Sequence, residues 1–222
     1  MYADDLVIFT PYSSEFGIEN DVKYNATKST VIIIRSKSDK HTVFPDFILN
    51  GAALSVSIEV KYLGHFVTDD FRDDKDIYRQ CRRLYAQGNT LIRKFHMCTA
   101  DVKANLFRTY CTPLYTAHLW WNYRLYSIRR LNVAYNDIMR LLLRLPRYHS
   151  ASQMFANINV PAFQAVVRNL IFKFICRLDK SENVIIQGLV KVGKSDLRFI
   201  SAIWRHWYHK LYVHFDNGLK FQ

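Results

Sequence analysis

Glycine and proline are scarce, at 7 and 5 of 222 residues, which excludes a collagen-like or low-complexity chain and argues against a turn-dense all-β fold. The cysteines Cys81, Cys98, Cys111 and Cys176 include no C-x-x-C pair, so neither a zinc site nor a disulfide framework is expected. Each fits the apolar side of a helix, and buried, reduced thiols in the cytosol or nucleus are the expectation. No apolar run approaches the roughly 18 residues of a membrane span. The best are Val31–Ile34 and Leu170–Ile175, and Lys173 interrupts the second. Met1-Tyr2-Ala3-Asp4-Asp5 has neither the basic start nor the apolar region of a signal peptide, so an intracellular, unsecreted chain is expected. Acid is also short, with 19 Asp and Glu against 31 Lys and Arg and a net charge of +12.

Half of the residues are hydrophobic and 15% are aromatic, enough for a packed core and far from the composition of a disordered tail. A pI of 9.6 on such a chain points to a polyanionic partner, nucleic acid first and an anionic membrane surface second.

The hydrophobic period changes once along the chain. Residues 1–68 read as strands. Leu6–Phe9 is a continuous apolar run, Val31–Ile34 is β-branched or bulky throughout, and Ile58–Tyr62 alternates with period two. Asn50-Gly51 between Phe47–Leu49 and Ala53–Val56 is a strong hairpin signal. A small antiparallel sheet is expected there. Residues 69–222 read as helices. Ile77, Cys81, Leu84, Tyr85, Gly88, Leu91, Ile92 and Phe95 form one stripe, with Asp69, Asp70, Asp73, Asp74 and Asp76 crowding its start, where the helix dipole favours acids. A second helix is marked by Leu106, Tyr110 and Leu114 with a kink or break at Pro113, and a third by Leu131 to Leu145, stopping before Pro146. Pro161 opens a fourth, and Leu197 to Phe215 mark a last one. The fold class is therefore α+β.

Tyr2-Ala3-Asp4-Asp5 between apolar segments is the most informative feature. Two adjacent carboxylates at a hairpin tip offer hard oxygen ligands of the kind Mg²⁺ prefers, alongside substrate phosphates. The plain alternative is a turn, because aspartate is a good turn residue. The company of the motif favours chemistry. Asn25-Ala26-Thr27-Lys28-Ser29 leads into a strand, Lys61-Tyr62-Leu63-Gly64-His65 forms a later turn, and helical phrases such as Tyr110–Tyr115 and Leu145-Pro146-Arg147 follow.

Taken in order, these segments resemble a reverse transcriptase of the non-LTR retrotransposon (LINE-like) kind, from the C-terminal half of its palm through its thumb, over about four-fifths of the chain. The resemblance implies a palm-type sheet in residues 1–68 and a helical thumb and extension in 69–222. It implies Asp4 as a metal ligand with Asp5 as its close support, Mg²⁺ as the cofactor, and an RNA template and DNA primer as partners. Lys28 would lie near the incoming triphosphate and offset its developing charge. Tyr62, Leu63 and Gly64 would sit under the primer terminus, a role compatible with a plain hairpin. The family's palm also uses an aspartate on an earlier strand, and a helix where only Tyr12–Gly17 stands here. The chain by itself is therefore expected to lack polymerase activity, with half a metal site.

The basic residues admit two readings. Arg79, Arg82, Arg83, Arg93 and Lys94 share one helix, and Arg129, Arg130, Arg140, Arg144 and Arg147 another. Such faces bind phosphate backbones in a salt-dependent way, or are simply solvated. Arg79, Arg82 and Arg83 are the first candidates for nucleic-acid contacts. The eight histidines form no metal set, and Lys191-Val192-Gly193-Lys194-Ser195 lacks the spacing of a phosphate loop. Two functions remain open: a piece of an RNA-directed DNA polymerase, or a non-catalytic basic module that binds nucleic acid or a partner.

Overall fold

The computed structural model describes residues 25–34 and 43–194. The element order is β1 (Thr30–Ile32), β2 (Ile48–Leu49), β3 (Ala52–Ala53), β4 (Ser55–Ser57), β5 (Glu59–Tyr62) and β6 (His65–Thr68), followed by α1 (Asp74–Lys94), α2 (Ala100–Tyr110), α3 (Leu125–Leu142), α4 (Ala151–Asn157), α5 (Phe163–Asp179) and α6 (Val184–Lys194). The fold is α+β, and the chain divides into two compact units, residues 1–73 and 74–222.

In the strand unit, Asn50 and Gly51 both take positive φ, 51° and 78°, and join β2 to β3 with Leu49 opposite Ala52. This is the tight, right-twisting turn that Asn-Gly specifies. Leu63 and Gly64 adopt the same handedness, φ 45° and 81°, between Tyr62 and His65 of the β5–β6 pair. The expected antiparallel sheet is corrected in one respect. β1 pairs with β4 in parallel, Thr30 opposite Ser55 and Ile32 opposite Ser57, and the described strands form three two-stranded ladders. The long connection from β1 to β4 contains the β2–β3 hairpin and leaves room for the return that a parallel pair requires.

The helical unit is built around α1. Its stripe Ile77, Cys81, Leu84, Gly88 and Leu91 is buried, as expected, although Tyr85 at the stripe's edge is exposed. Asp74 accepts a hydrogen bond from the Arg124 amide (2.9 Å) and one from the Ser127 hydroxyl, which ties the start of α1 to the start of α3. Further on, a Cβ placed on Gly88 would stand 2.4 Å from Ile138 Cγ2. The two helices therefore run parallel and close together. Phe107, Leu131, Tyr135, Ile138, Met154 and Ile171 complete the core from α2 to α5.

Two helix ends differ from expectation. α2 stops at Tyr110, and buried Leu114 lies beyond it in the irregular segment that contains Pro113. α3 stops at Leu142 because Arg144 turns left-handed (φ 57°) and the Leu145 amide bonds back to the Arg140 carbonyl at 2.8 Å. Asn159 ends α4 in the same manner, with the Val160 amide on Phe155 O, both being Schellman-type closures. The helices α4 and α6 were not anticipated, and residues 191–194, discounted as a phosphate loop, are the end of α6. The helix expected over Leu197–Phe215 lies outside the described residues.

Candidate nucleic-acid interface

Asp4 and Asp5 lie outside the described residues, as does all of Tyr2–Phe9. Among the described residues, no group of three or more His, Cys, Asp or Glu side chains is placed to hold a metal ion. Lys28 stands on a turn that Asn25 organises. The Asn25 side-chain oxygen accepts from the Thr27 amide (3.1 Å) and hydroxyl (2.6 Å), and its carbonyl accepts from the Ser29 hydroxyl (2.8 Å). Such local bonds are the usual work of asparagine at a turn, and they present Lys28, which is exposed, immediately before β1. β1 in turn lies beside β5, the strand that leads into Tyr62-Leu63-Gly64.

At that hairpin tip Tyr62 is half-buried, while Leu63 is 77% exposed. A left-handed backbone costs a leucine roughly 1–2 kcal/mol. The tip thus holds a large apolar side chain outward at a conformational cost, a form of strain that clusters at binding sites. His65, on the far side of the turn, lies 3.6 Å from the buried carboxylate of Asp73.

The three arginines expected to meet phosphate are placed differently from one another. Arg79 is engaged internally, its Nε and Nη2 donating to Asp76 Oδ1 at 2.9 and 2.6 Å. Arg82 is exposed. The Arg83 guanidinium lies over the ring of Tyr115, 5.0 Å from its centroid. On α3, Arg140 is also committed, to Asp137 (2.9 Å) and to the His149 carbonyl (3.0 Å), whereas Arg129 and Arg130 are exposed and Arg130 covers the ring of Tyr78 at 5.3 Å.

Asp76 is the residue that sequence reasoning misjudged. Expected only as an acid that the helix dipole favours at a helix start, it is fully buried. Its second oxygen accepts from Thr116 Oγ1 (2.5 Å) and Trp120 Nε1 (2.8 Å), and the Gln80 amide donates to Thr116 at 3.1 Å. A buried carboxylate is tolerable only when paired and hydrogen-bonded, and here four donors from three side chains meet it. The network fastens the irregular 111–121 segment to α1 and so fixes the backbone on either side of Tyr115. The local Arg79 pair does not reveal the burial of Asp76, since Thr116 and Trp120 lie 40 and 44 residues away.

The thiols behave as the apolar pattern implies for two of the four. Cys81 and Cys111 are buried, and burial raises both, the latter from 9.0 to about 12. Cys98 and Cys176 are partly exposed, and Cys98 lies in the turn after α1 and not on a helix. None of the described helices is long and apolar enough to cross a membrane. No protein-family model, curated protein or solved structure matches this chain.

Proposed function

We propose that the chain is part of an RNA-directed DNA polymerase of the non-LTR retrotransposon kind, its strand unit belonging to the palm and its helical unit to the thumb and C-terminal extension. One observation carries this reading. Tyr2–Asp5, Asn25–Ser29 and Tyr62–Gly64 follow one another in the order in which such a palm uses them, a far more specific signal than any single member. Two features of the fold agree with it: the adjacency of β1 and β5, which relates the Lys28 segment to the Tyr62-Leu63-Gly64 turn, and the outward Leu63 at that turn.

In this reading Asp4, supported by Asp5, holds Mg²⁺, for which paired carboxylate oxygens are a suitable donor set. The ion supplies Lewis-acid stabilisation of the reacting phosphate. Lys28 offsets charge on the leaving pyrophosphate as a primer 3′-hydroxyl attacks a deoxynucleoside triphosphate. The Tyr62-Leu63-Gly64 turn supports the primer terminus. RNA template and DNA primer are the partners.

A second reading, a non-catalytic basic nucleic-acid-binding module derived from a retroelement, is favoured by a different feature. From Tyr78 to Lys94, α1 carries five basic residues and no acid. Primer extension on an RNA template by the translated frame that contains residues 1–222 separates the two. The polymerase reading predicts Mg²⁺-dependent extension that is abolished in Asp4→Ala and retained in Asp70→Ala. Extension that survives Asp4→Ala refutes it. Salt-sensitive binding without any extension leaves the binding module as the function.

A further inference from the structure

We propose that the solvent face of α1, flanked by two tyrosine–arginine stacks, is a binding track for single-stranded nucleic acid. The track deepens the reading of α1 as a basic nucleic-acid-binding element and does not depend on the Asp4-Asp5 site, because none of its residues belongs to the strand unit.

Three observations lead there. The first is charge. The acid-free run Tyr78–Lys94 covers about 25 Å of helix at 1.5 Å per residue. Asp76 at its start is buried and answered by Arg79, so the exposed charges along the run are positive. Arg82 and Arg93 lie along its solvent side.

The second is the pair of aromatic rings. Tyr78 is 48% exposed with the Arg130 guanidinium over its ring, and Tyr115 is 67% exposed with Arg83 over its ring. Tyr78 and Arg82 share a face at i and i+4, and Arg83 begins the flank toward Tyr115. A guanidinium over one side of a ring leaves the other side for a flat apolar partner, and it holds the ring in place beforehand. Two tyrosines kept this open, Tyr78 on α1 and Tyr115 on the segment beside it, suit a partner with planar surfaces and negative charge. Unpaired bases on a phosphate backbone have both, whereas a duplex hides its bases and an anionic bilayer offers no planes to stack.

The third is rigidity. Tyr115 lies on no helix or strand, yet the Asp76 carboxylate grips its neighbour Thr116, and Trp120 five residues on, from inside the core. The platform is therefore fixed without a ligand, which lowers the ordering cost of binding.

The test is a fluorescence-anisotropy titration of the full chain with a short labelled single-stranded RNA and with a fully paired duplex of the same length, over a salt series. The track predicts tighter binding to the single strand. Tyr78→Ala and Tyr115→Ala each weaken single-strand binding about tenfold with the salt slope unchanged, while Tyr78→Phe, which keeps the stacking ring, binds as the parent does. Arg82→Ala makes log K against log salt shallower by about 0.7. The readout is binding and involves no primer extension, so failure here and failure of the polymerase reading are separately visible. Circular dichroism of each variant excludes unfolding as the cause of a loss. The proposal is overturned if the tyrosine variants bind the single strand like the parent, if they lose duplex and single strand alike, or if phosphatidylserine vesicles are bound and RNA is not.

Discussion

In the helical unit Phe107, Trp120, Leu131 and Tyr135 are fully enclosed, whereas Leu49 is the one buried apolar side chain among the described residues of the strand unit, and Ile48, Val56 and Ile58 stand more than half exposed. The difference follows from geometry. A long amphipathic helix such as α1 gathers a continuous stripe, and a single neighbour such as α3 covers much of it. Strands of two to four residues in two-stranded ladders bury little unless further layers cover them. The helices therefore build a core from their own residues, while the described strands present surface, including the strained tip at Leu63.

The contrast is broken most severely from within the core. Phe107→Ala removes a fully buried ring that meets Tyr135 edge-on at 4.9 Å, and should cost about 3–5 kcal/mol in urea unfolding followed by helix signal. Ile58→Ala, at a position 72% exposed, should shift the same midpoint by less than about 0.5 kcal/mol.

Asp76→Ala comes next. It leaves Thr116, Trp120 and Arg79 donors without their acceptor and should cost about 2–3 kcal/mol, less than for a wholly buried pair because Arg79 reaches solvent.

Alkaline pH probes the same core through its protons. Burial pushes the Cys111 thiol from 9.0 up to about 12 and the Tyr135 phenol upward as well. An acid whose pKa rises on folding keeps its proton longer in the folded chain than in the unfolded one. Its contribution to stability is thus complete below the unfolded pKa and is lost as pH climbs through the folded value. The urea midpoint of the helical unit should fall between pH 9 and about 12, and Cys111→Ala should flatten part of that fall.

Smaller effects sharpen the comparison. Gly88→Ala forces Ile138 aside at the α1–α3 crossing and should cost about 1–2 kcal/mol, since the better helix propensity of alanine offsets part of the clash. Leu63→Asn relieves the left-handed strain at the β5–β6 tip, where the side chain meets open solvent. It should stabilise the hairpin by up to about 1 kcal/mol, read by amide exchange of the Tyr62–His65 segment, while weakening any partner that uses the leucine.

Sequence patterns reached features whose causes are local. The Asn50-Gly51 turn, the α1 stripe and the start of the helix after Pro161 all follow from residues within a few positions of one another. Features set by distant partners escaped. The parallel β1–β4 pairing joins residues 25 apart, Thr30 with Ser55, and no alternation pattern encodes the direction of a partner strand. α4 is too short, at 7 residues, to show a period. In the candidate interface, Lys28 and Arg82 were legible as exposed cations, but the burial of Asp76 against Thr116 and Trp120 and the Tyr78 and Tyr115 stacks depend on packing that brings separate helices and loops together. The Asp4-Asp5 site lies outside the described residues and remains a reading of sequence order.

Hydrogen exchange on the intact chain tests the central contrast most directly. The amides of α1, α3 and α5 should exchange slowest and together, through global unfolding of the helical unit, while those of β5 and β6 exchange much faster through local opening. Exchange of the β5–β6 amides as slow as that of the α1 core would contradict the account, showing that the strands share a cooperative core with the helices.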